Sequence, residues 1–202
     1  MTARSQSLLH RARPAARGEP RERIAYALER CIVEHGYAAT KLIDVAERAK
    51  MSPPHMRYYF RGKDDMLAYC YERLLRRVQG LLDTLPAQAP RTWLERLAEL
   101  MLGGGRRGRE ALTVLNEANL VVARSPALRT LRSEYDARVV ARIESQLAQL
   151  PLASGQTAAS AAALLTHLLN GLMLERVLAG DDRQVEDLQQ QYLAQLDLLL
   201  ND

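Results

Sequence analysis

Hydrophobic residues recur every three or four positions from Arg21 almost to the end of the chain, which is the period of amphipathic helices. No segment alternates strictly enough to predict a strand, and no repeat of 20–50 residues is present. The pattern therefore predicts an all-α fold of about nine helices. They cover approximately residues 21–35, 42–49, 53–60, 64–82, 93–102, 110–123, 127–150, 157–178 and 183–200.

Breaker residues define the ends of the first three helices. Gly36 stops the first helix, and Thr40 is placed to cap the start of the second. Ser52-Pro53 is a strong start signal, because a capping hydroxyl precedes a proline that needs no N–H in the first turn. Arg61-Gly62 ends the third helix. Two short helices joined by a tight turn are typical of a helix-turn-helix.

The two C-terminal helices are unusually apolar. Residues 157–178 are hydrophobic on nearly every face, and residues 183–200 also carry a broad apolar face. A monomer would expose a large apolar patch here, so we expect a homodimer through a four-helix bundle, unless both helices are central to one core. The predicted interface residues are Leu165, Leu169, Leu172, Leu188, Tyr192 and Leu196.

Charge is unevenly distributed along the chain. The 202 residues carry a net charge of +4, but residues 1–63 contribute +7 and residues 64–202 contribute −3. This asymmetry favours a module that binds a polyanion, joined to a second module. Residues 1–20 hold four arginines and two prolines without a sustained period, which predicts a flexible basic arm.

Several other classes of protein are disfavoured. Two cysteines, Cys31 and Cys70, neither build a disulfide framework nor match a zinc motif. No apolar run approaches a membrane span, no signal peptide is recognisable, and a cytoplasmic location is expected. No nucleophile elbow, metal-binding helix or phosphate loop is present, so neither enzymatic activity nor a cofactor nor a metal is expected.

Residues 21–67 resemble the DNA-binding domain of the TetR family of bacterial transcriptional regulators. The spacing of the shared motif contains no insertion from Gly36 to Lys63. The residues that carry the resemblance are Gly36-Tyr37, Ala39-Thr40, Ile43, Val45-Ala46, Ala49, Ser52, Tyr58-Tyr59-Phe60, Lys63 and Leu67.

The resemblance implies that residues 52–60 form a recognition helix for the DNA major groove. The implied DNA-binding residues are Thr40, Lys41, Ser52, Pro54, His55, Arg57, Tyr58, Tyr59 and Lys63. Arg57 has the geometry to donate two hydrogen bonds to a guanine, and Lys63 suits a phosphate. The chain departs from the family at Lys50, where glycine is usual, at Pro53-Pro54, and at Arg57, where an aromatic residue is common.

The remaining helices match the family in layout. The resemblance implies a helix-turn-helix domain over 21–66 and an effector-binding and dimerisation domain over 67–202. The candidate effector-binding residues are Trp93, Met101, Asn116, Asn119, Tyr135, His167 and Met173. The implied function is a dimeric regulator, most simply a repressor, that binds a palindromic operator in double-stranded DNA and is released by a small molecule. The alternatives are an architectural DNA-binding protein without an effector and, with less support, a dimeric scaffold or a helical enzyme.

Overall fold

The computed structural model describes residues 19–86, 88–103, 105–179 and 184–200. Within these ranges the chain is all-α, and its only β contact is an isolated antiparallel bridge between Leu152 and Leu200. The predicted fold class is confirmed. The nine helices are α1 (Pro20–Ala39), α2 (Leu42–Ala49), α3 (Pro53–Tyr59), α4 (Lys63–Leu82), α5 (Pro90–Leu102), α6 (Gly105–Val122), α7 (Pro126–Leu147), α8 (Ala158–Leu178) and α9 (Val185–Leu199).

Several helix ends differ from those the sequence predicts, and α1 continues past Gly36 to Ala39. α5 begins at Pro90 rather than Trp93, because a proline fits the first helical position, where its missing N–H is not needed. α6 begins at Gly105, five residues early, and the buried Arg176 donates a hydrogen bond to the Gly105 carbonyl at 2.9 Å. α7 ends at Leu147, three residues before the predicted end. Local propensity is a weak guide at such boundaries, because tertiary contacts override it.

The described residues form two compact units. Among the described residues, the N-terminal unit comprises 19–78 together with 110–131, and the C-terminal unit comprises those within 79–109 and 132–200. The predicted domain boundaries at 20/21 and 66/67 stay a prediction. Residues 1–18 of the predicted basic arm lie outside the described residues.

An ion-pair cluster joins α1 to α4 inside the N-terminal unit. Arg73 donates hydrogen bonds to Glu22 at 2.7 Å and to Glu29, and the Tyr69 hydroxyl donates to Glu22 at 2.5 Å. Burial raises the pKa of Glu29. Burial acts in the same direction on Glu22, but the Tyr69 hydrogen bond and the Arg73 charge outweigh it and hold the pKa of Glu22 below its usual value. These contacts hold α1 and α4 in one arrangement.

The C-terminal unit is built around α8, which packs against α5 and α9. The buried residues of α8 are Ala161, Ala162, Leu165, Leu169, Leu172, Met173 and Arg176. Contrary to the sequence expectation, α8 is long and apolar enough to cross a membrane, alone among the described helices. Length and composition are weak evidence by themselves, because the core helix of a globular protein has the same properties.

All six residues predicted for the dimer interface lie inside this core. Leu165, Leu169, Leu172, Leu188, Tyr192 and Leu196 are buried against the neighbouring helices of their own unit. These six side chains therefore belong to the core of the C-terminal unit, and their place in a dimer interface stays a prediction.

Candidate nucleic-acid interface

α2 and α3 pack together through the apolar side chains that the sequence assigns to their contact. Val45, Ala46 and Ala49 of α2 are buried, as are Met56 and the following Phe60 at α3. Leu42 and Met51 are half-buried. The polar side of α3 consequently faces outward, as the helix-turn-helix arrangement requires.

The turn between the two helices is closed by backbone hydrogen bonds. The Met51 N–H donates to the Ala46 carbonyl and the Lys50 N–H donates to the Glu47 carbonyl, each at 3.0 Å, which is the Schellman pattern. Lys50 lies in the left-handed region with φ of 53°. The Arg23 guanidinium of α1 donates to the Ala49 carbonyl at 2.6 Å. The turn thus accepts a side chain where the sequence resemblance leads one to expect glycine.

α3 starts as the sequence predicts. The Ser52 hydroxyl accepts a hydrogen bond from the His55 N–H at 3.4 Å, and Pro53 and Pro54 occupy the first turn. The Met56 N–H donates to the Ser52 carbonyl at 3.0 Å. Seven residues, Pro53–Tyr59, form the helix.

The outward side of α3 brings together most of the predicted DNA-binding residues. Pro54, His55, Arg57 and Tyr58 are exposed, and Tyr58 is 83% exposed. Tyr59 lies half-buried between them, with its ring 5.1 Å from that of Tyr58 and 5.5 Å from that of His55. The three rings therefore lie beside one another next to Arg57. Ser52 and Lys41 are exposed as well, at the starts of α3 and α2.

Thr40 does not belong to this outward surface. Its side chain is only 3% exposed, and its hydroxyl donates to the Gly36 carbonyl at 2.7 Å. α2 is preceded instead by Lys41, whose backbone N–H donates to the Asp44 carboxylate at 3.2 Å. Thr40 therefore closes the end of α1, and its predicted roles as the cap of α2 and as a DNA contact are not supported by this position.

Lys63 also has a different environment from the one predicted. Its ammonium donates to the carbonyls of Tyr37 at 2.7 Å and Thr40 at 3.0 Å, and lies 4.3 Å from the Tyr37 ring centre. These carbonyls follow Gly36, whose φ of 76° breaks the helical backbone of α1. Lys63 thus satisfies acceptors that a helix end leaves without partners. In this geometry Lys63 positions the helix-turn-helix, and its contact with a DNA phosphate stays a prediction.

Tyr37 extends the same network to the start of α4. Its hydroxyl donates a short hydrogen bond to the Asp64 carboxylate. Burial, followed by this hydrogen bond to a carboxylate, raises the pKa of Tyr37. The phenol consequently stays protonated at neutral pH and keeps the end of α1 attached to the start of α4.

Some cations of the N-terminal unit are paired with carboxylates, and others are not. Arg48 makes a two-fold ion pair with Glu34 at 2.5 and 2.7 Å, and Arg30 pairs with Glu110 at 2.8 Å. In contrast, four exposed cations near α2 and α3 have no acidic partner among the described residues. They are Lys41, Lys50, Arg57 and Arg61. Of these, Arg61 was not identified from the sequence, although its position next to the recognition helix was a usable signal.

The candidate effector residues do not share one environment. Trp93, Tyr135 and Met173 are buried in the C-terminal unit and Met101 is half-buried there. Asn116 and Asn119 are half-buried on the part of α6 that belongs to the N-terminal unit. His167 is exposed on the outer side of α8, so it does not line an interior site.

No group of three or more metal-binding side chains occurs within the described ranges. Cys31 and Cys70 are both buried, and burial raises the pKa of each thiol. The Cys70 thiol donates to the Ala25 carbonyl at 3.5 Å. Both cysteines are thus protonated parts of the core.

Comparison with known proteins agrees with this architecture. The family profile "Bacterial regulatory proteins, tetR family" matches residues 24–70, and the profile "BetI-type transcriptional repressor, C-terminal" matches residues 90–201. No curated protein gives a significant match over the chain.

Solved structures of regulators share the fold over nearly the whole chain. A transcriptional regulator from Rhodococcus sp. RHA1 is 22% identical with a TM-score of 0.80, covering 90% of this chain and 96% of its own. A regulator from Saccharomonospora viridis in complex with choline is 24% identical with a TM-score of 0.75, covering 90% and 98%. The multidrug binding protein EbrR, complexed with malachite green, is 23% identical with a TM-score of 0.66, covering 91% and 100%.

The two profiles together span the helix-turn-helix and the C-terminal helices. The first includes the outward residues of α3, and the second alone covers more than half of the chain. The chain belongs to the TetR family of bacterial transcriptional regulators, which bind DNA through a helix-turn-helix.

Proposed function

We propose that this protein is a cytoplasmic repressor that binds a palindromic operator as a homodimer and is released by a small-molecule effector. The observation that carries the proposal is the outward cluster of His55, Arg57, Tyr58 and Tyr59 on α3. Arginine reads guanine through two hydrogen bonds, while tyrosine and histidine add contacts to bases or phosphates. The C-terminal part of the chain matches a profile named for repressors, which supports repression rather than activation of transcription.

The outward face of α8 supports the homodimer. Ser160, Leu164, His167, Gly171, Leu174 and Leu178 follow one another at intervals of three and four residues, and all six are exposed. The three leucines are 48%, 47% and 75% exposed, so this face is substantially apolar. A Cβ added at Gly171 would meet nothing within 4 Å, which leaves room for another helix to approach closely. A second copy of α8 is the partner that we propose for this face.

Selection of bound sequences from a random duplex pool at physiological salt tests the operator. An enriched palindrome with half-sites about one helical turn apart is expected for a two-fold dimer. Arg57→Ala should relax the preference at one position of each half-site by about 1–3 kcal/mol, because one base contact is lost. Binding without any enriched sequence would contradict the operator and would favour an architectural role.

The effector is proposed to be a small organic cation that binds the C-terminal unit. Choline and malachite green, which occupy the two related structures, are both cations. Within the described C-terminal unit, the buried Tyr192 hydroxyl and the Gln146 side-chain oxygen have no hydrogen-bond partner in the protein. Buried polar groups normally have partners, so these two are candidates to bind a polar ligand.

The chain has one tryptophan, Trp93, which is buried in the same unit and serves as an internal reporter. Titration with choline or malachite green should change its fluorescence and release bound duplex. Tyr192→Phe should weaken that response without unfolding the protein, since only the hydroxyl is removed. If neither cation changes the fluorescence or the DNA affinity, the proposed class of effector is wrong.

A further inference from the structure

The turn between α2 and α3 holds a lysine in a strained backbone conformation. Lys50 is the one residue other than glycine that has a positive φ in the described part of the chain. A side chain with a Cβ is disfavoured in this region, whereas glycine adopts it without a steric penalty. Strain that is retained at such a position is a reason to look for a function of the side chain.

The Lys50 side chain is exposed and chemically available. Its backbone is held by the Schellman hydrogen bonds of the turn, and Arg23 donates to the carbonyls of Ala49 and Lys50 at 2.6 and 3.4 Å. No acidic side chain pairs with the Lys50 ammonium among the residues described. A rigid backbone therefore presents a free cation two residues before the cap of α3.

The first turn of α3 has no backbone donor to offer in the same place. Pro53 and Pro54 lack an N–H, and the N–H groups of His55 and Met56 already donate to the hydroxyl and the carbonyl of Ser52. Helix starts that bind phosphates do so through free N–H groups. A DNA phosphate near this end of the recognition helix must consequently be neutralised by a side chain.

We propose that Lys50 binds a DNA phosphate beside the start of α3 and replaces the backbone donors that the two prolines remove. The inference rests on the proposed binding of DNA by α3 and extends it to a residue outside that helix. A lysine ammonium contributes a point charge, so its contact is independent of base sequence. Lys50 therefore adds affinity, while Arg57 adds sequence preference.

Three variants separate the charge of Lys50 from its backbone strain. Lys50→Gly removes the positive charge and also relieves the backbone strain. Lys50→Asn removes the charge but is a residue that tolerates the left-handed region. Lys50→Arg keeps both the charge and the strain. Thermal unfolding should show Lys50→Gly raising Tm by about 1–4 °C. The Gly and Asn variants should lose about threefold to tenfold in affinity for a fluorescent duplex of mixed sequence, and the Arg variant should retain it.

The salt dependence of binding gives the decisive readout. Both uncharged variants should reduce the slope of log affinity against log salt by about one for each bound chain. Arg124→Gln, which removes an exposed positive charge after α6, is the matched control and should leave that slope unchanged. A more stable Lys50→Gly protein with unchanged affinity and slope would overturn the phosphate contact alone. A wild-type protein that binds no duplex would overturn the proposed operator as well.

Discussion

The outward side of α3 and the outward side of α8 are both exposed, but their chemistry is opposite. α3 presents Arg57, His55 and tyrosine hydroxyls, whose polar groups water can satisfy. α8 presents Leu164, Leu174 and Leu178, which gain free energy when they are removed from water. Exposure by itself thus indicates only that a surface is accessible. The hydrogen-bonding capacity of the surface indicates whether a polyanion or an apolar partner fits it.

A second contrast lies within the positive charge of the N-terminal unit. Arg30, Arg48 and Arg73 are paired with carboxylates, so they stabilise the arrangement of the helices. The three lysines of the chain all lie between positions 41 and 63, yet Lys63 is bound to carbonyls whereas Lys41 and Lys50 remain free. Net charge therefore overstates the number of cations that are available to DNA.

The largest expected difference between the two surfaces is in how their binding depends on salt concentration. Raising the salt concentration from about 50 to about 200 mM should lower DNA affinity by about a thousandfold or more if six to ten phosphates are contacted. Association through α8 should change little over the same range, because apolar burial involves no counterion release. Fluorescence anisotropy with a labelled duplex and sedimentation equilibrium measure the two effects. A DNA affinity that is independent of salt would contradict the assignment of α3.

The two sides of α8 should respond differently to the same substitution. Leu174→Arg places a charge on the exposed face and should produce a folded monomer. Leu169→Arg places an unpaired charge in the core and should lower the free energy of unfolding by about 4 kcal/mol or more. Light scattering and thermal unfolding by circular dichroism distinguish the results. A Leu174→Arg protein that stays dimeric would place the interface on another surface.

Lys63→Met tests whether this lysine belongs to the interior or to the DNA surface. Three backbone carbonyls would lose a charged donor, which should lower the free energy of unfolding by about 1–3 kcal/mol. Urea denaturation measures this loss. Under conditions in which the variant is folded, the salt slope of DNA binding should match that of the wild type. A stable variant with a reduced slope would instead support a phosphate contact.

Alkaline pH should have the smallest effect, and it tests a contact between α1 and α4 inside the N-terminal unit. Burial, then the hydrogen bond to Glu22, raises the pKa of Tyr69 to about 12 from 10.0. The stabilisation from the protonated phenol is fully present below pH 10 and is lost as the pH rises toward 12. Tyr69→Phe should therefore flatten the fall of the unfolding free energy over this range. An unchanged pH profile would contradict the Tyr69–Glu22 contact.

Much of the helix-turn-helix could be predicted from residues that lie close together in the chain. The Ser52 hydroxyl, the prolines after it and the glycine at position 36 act within one helical turn, so their patterns are local. Thr40 and Lys63 could not be assigned in this way. Lys63 bonds carbonyls 23 to 26 residues earlier, and no short pattern reports such a contact.

The sequence by itself determined the helical class, the order of the helices and the polar side of the recognition helix, because hydrophobic period and capping are properties of neighbouring residues. It did not determine which side of α8 faces inward. That helix is apolar nearly all round, so its period does not distinguish Leu169 from Leu174. Packing against α5 and α9 buried the first and left the second exposed. Only the tertiary structure decided this, because burial depends on neighbours that are distant in the chain.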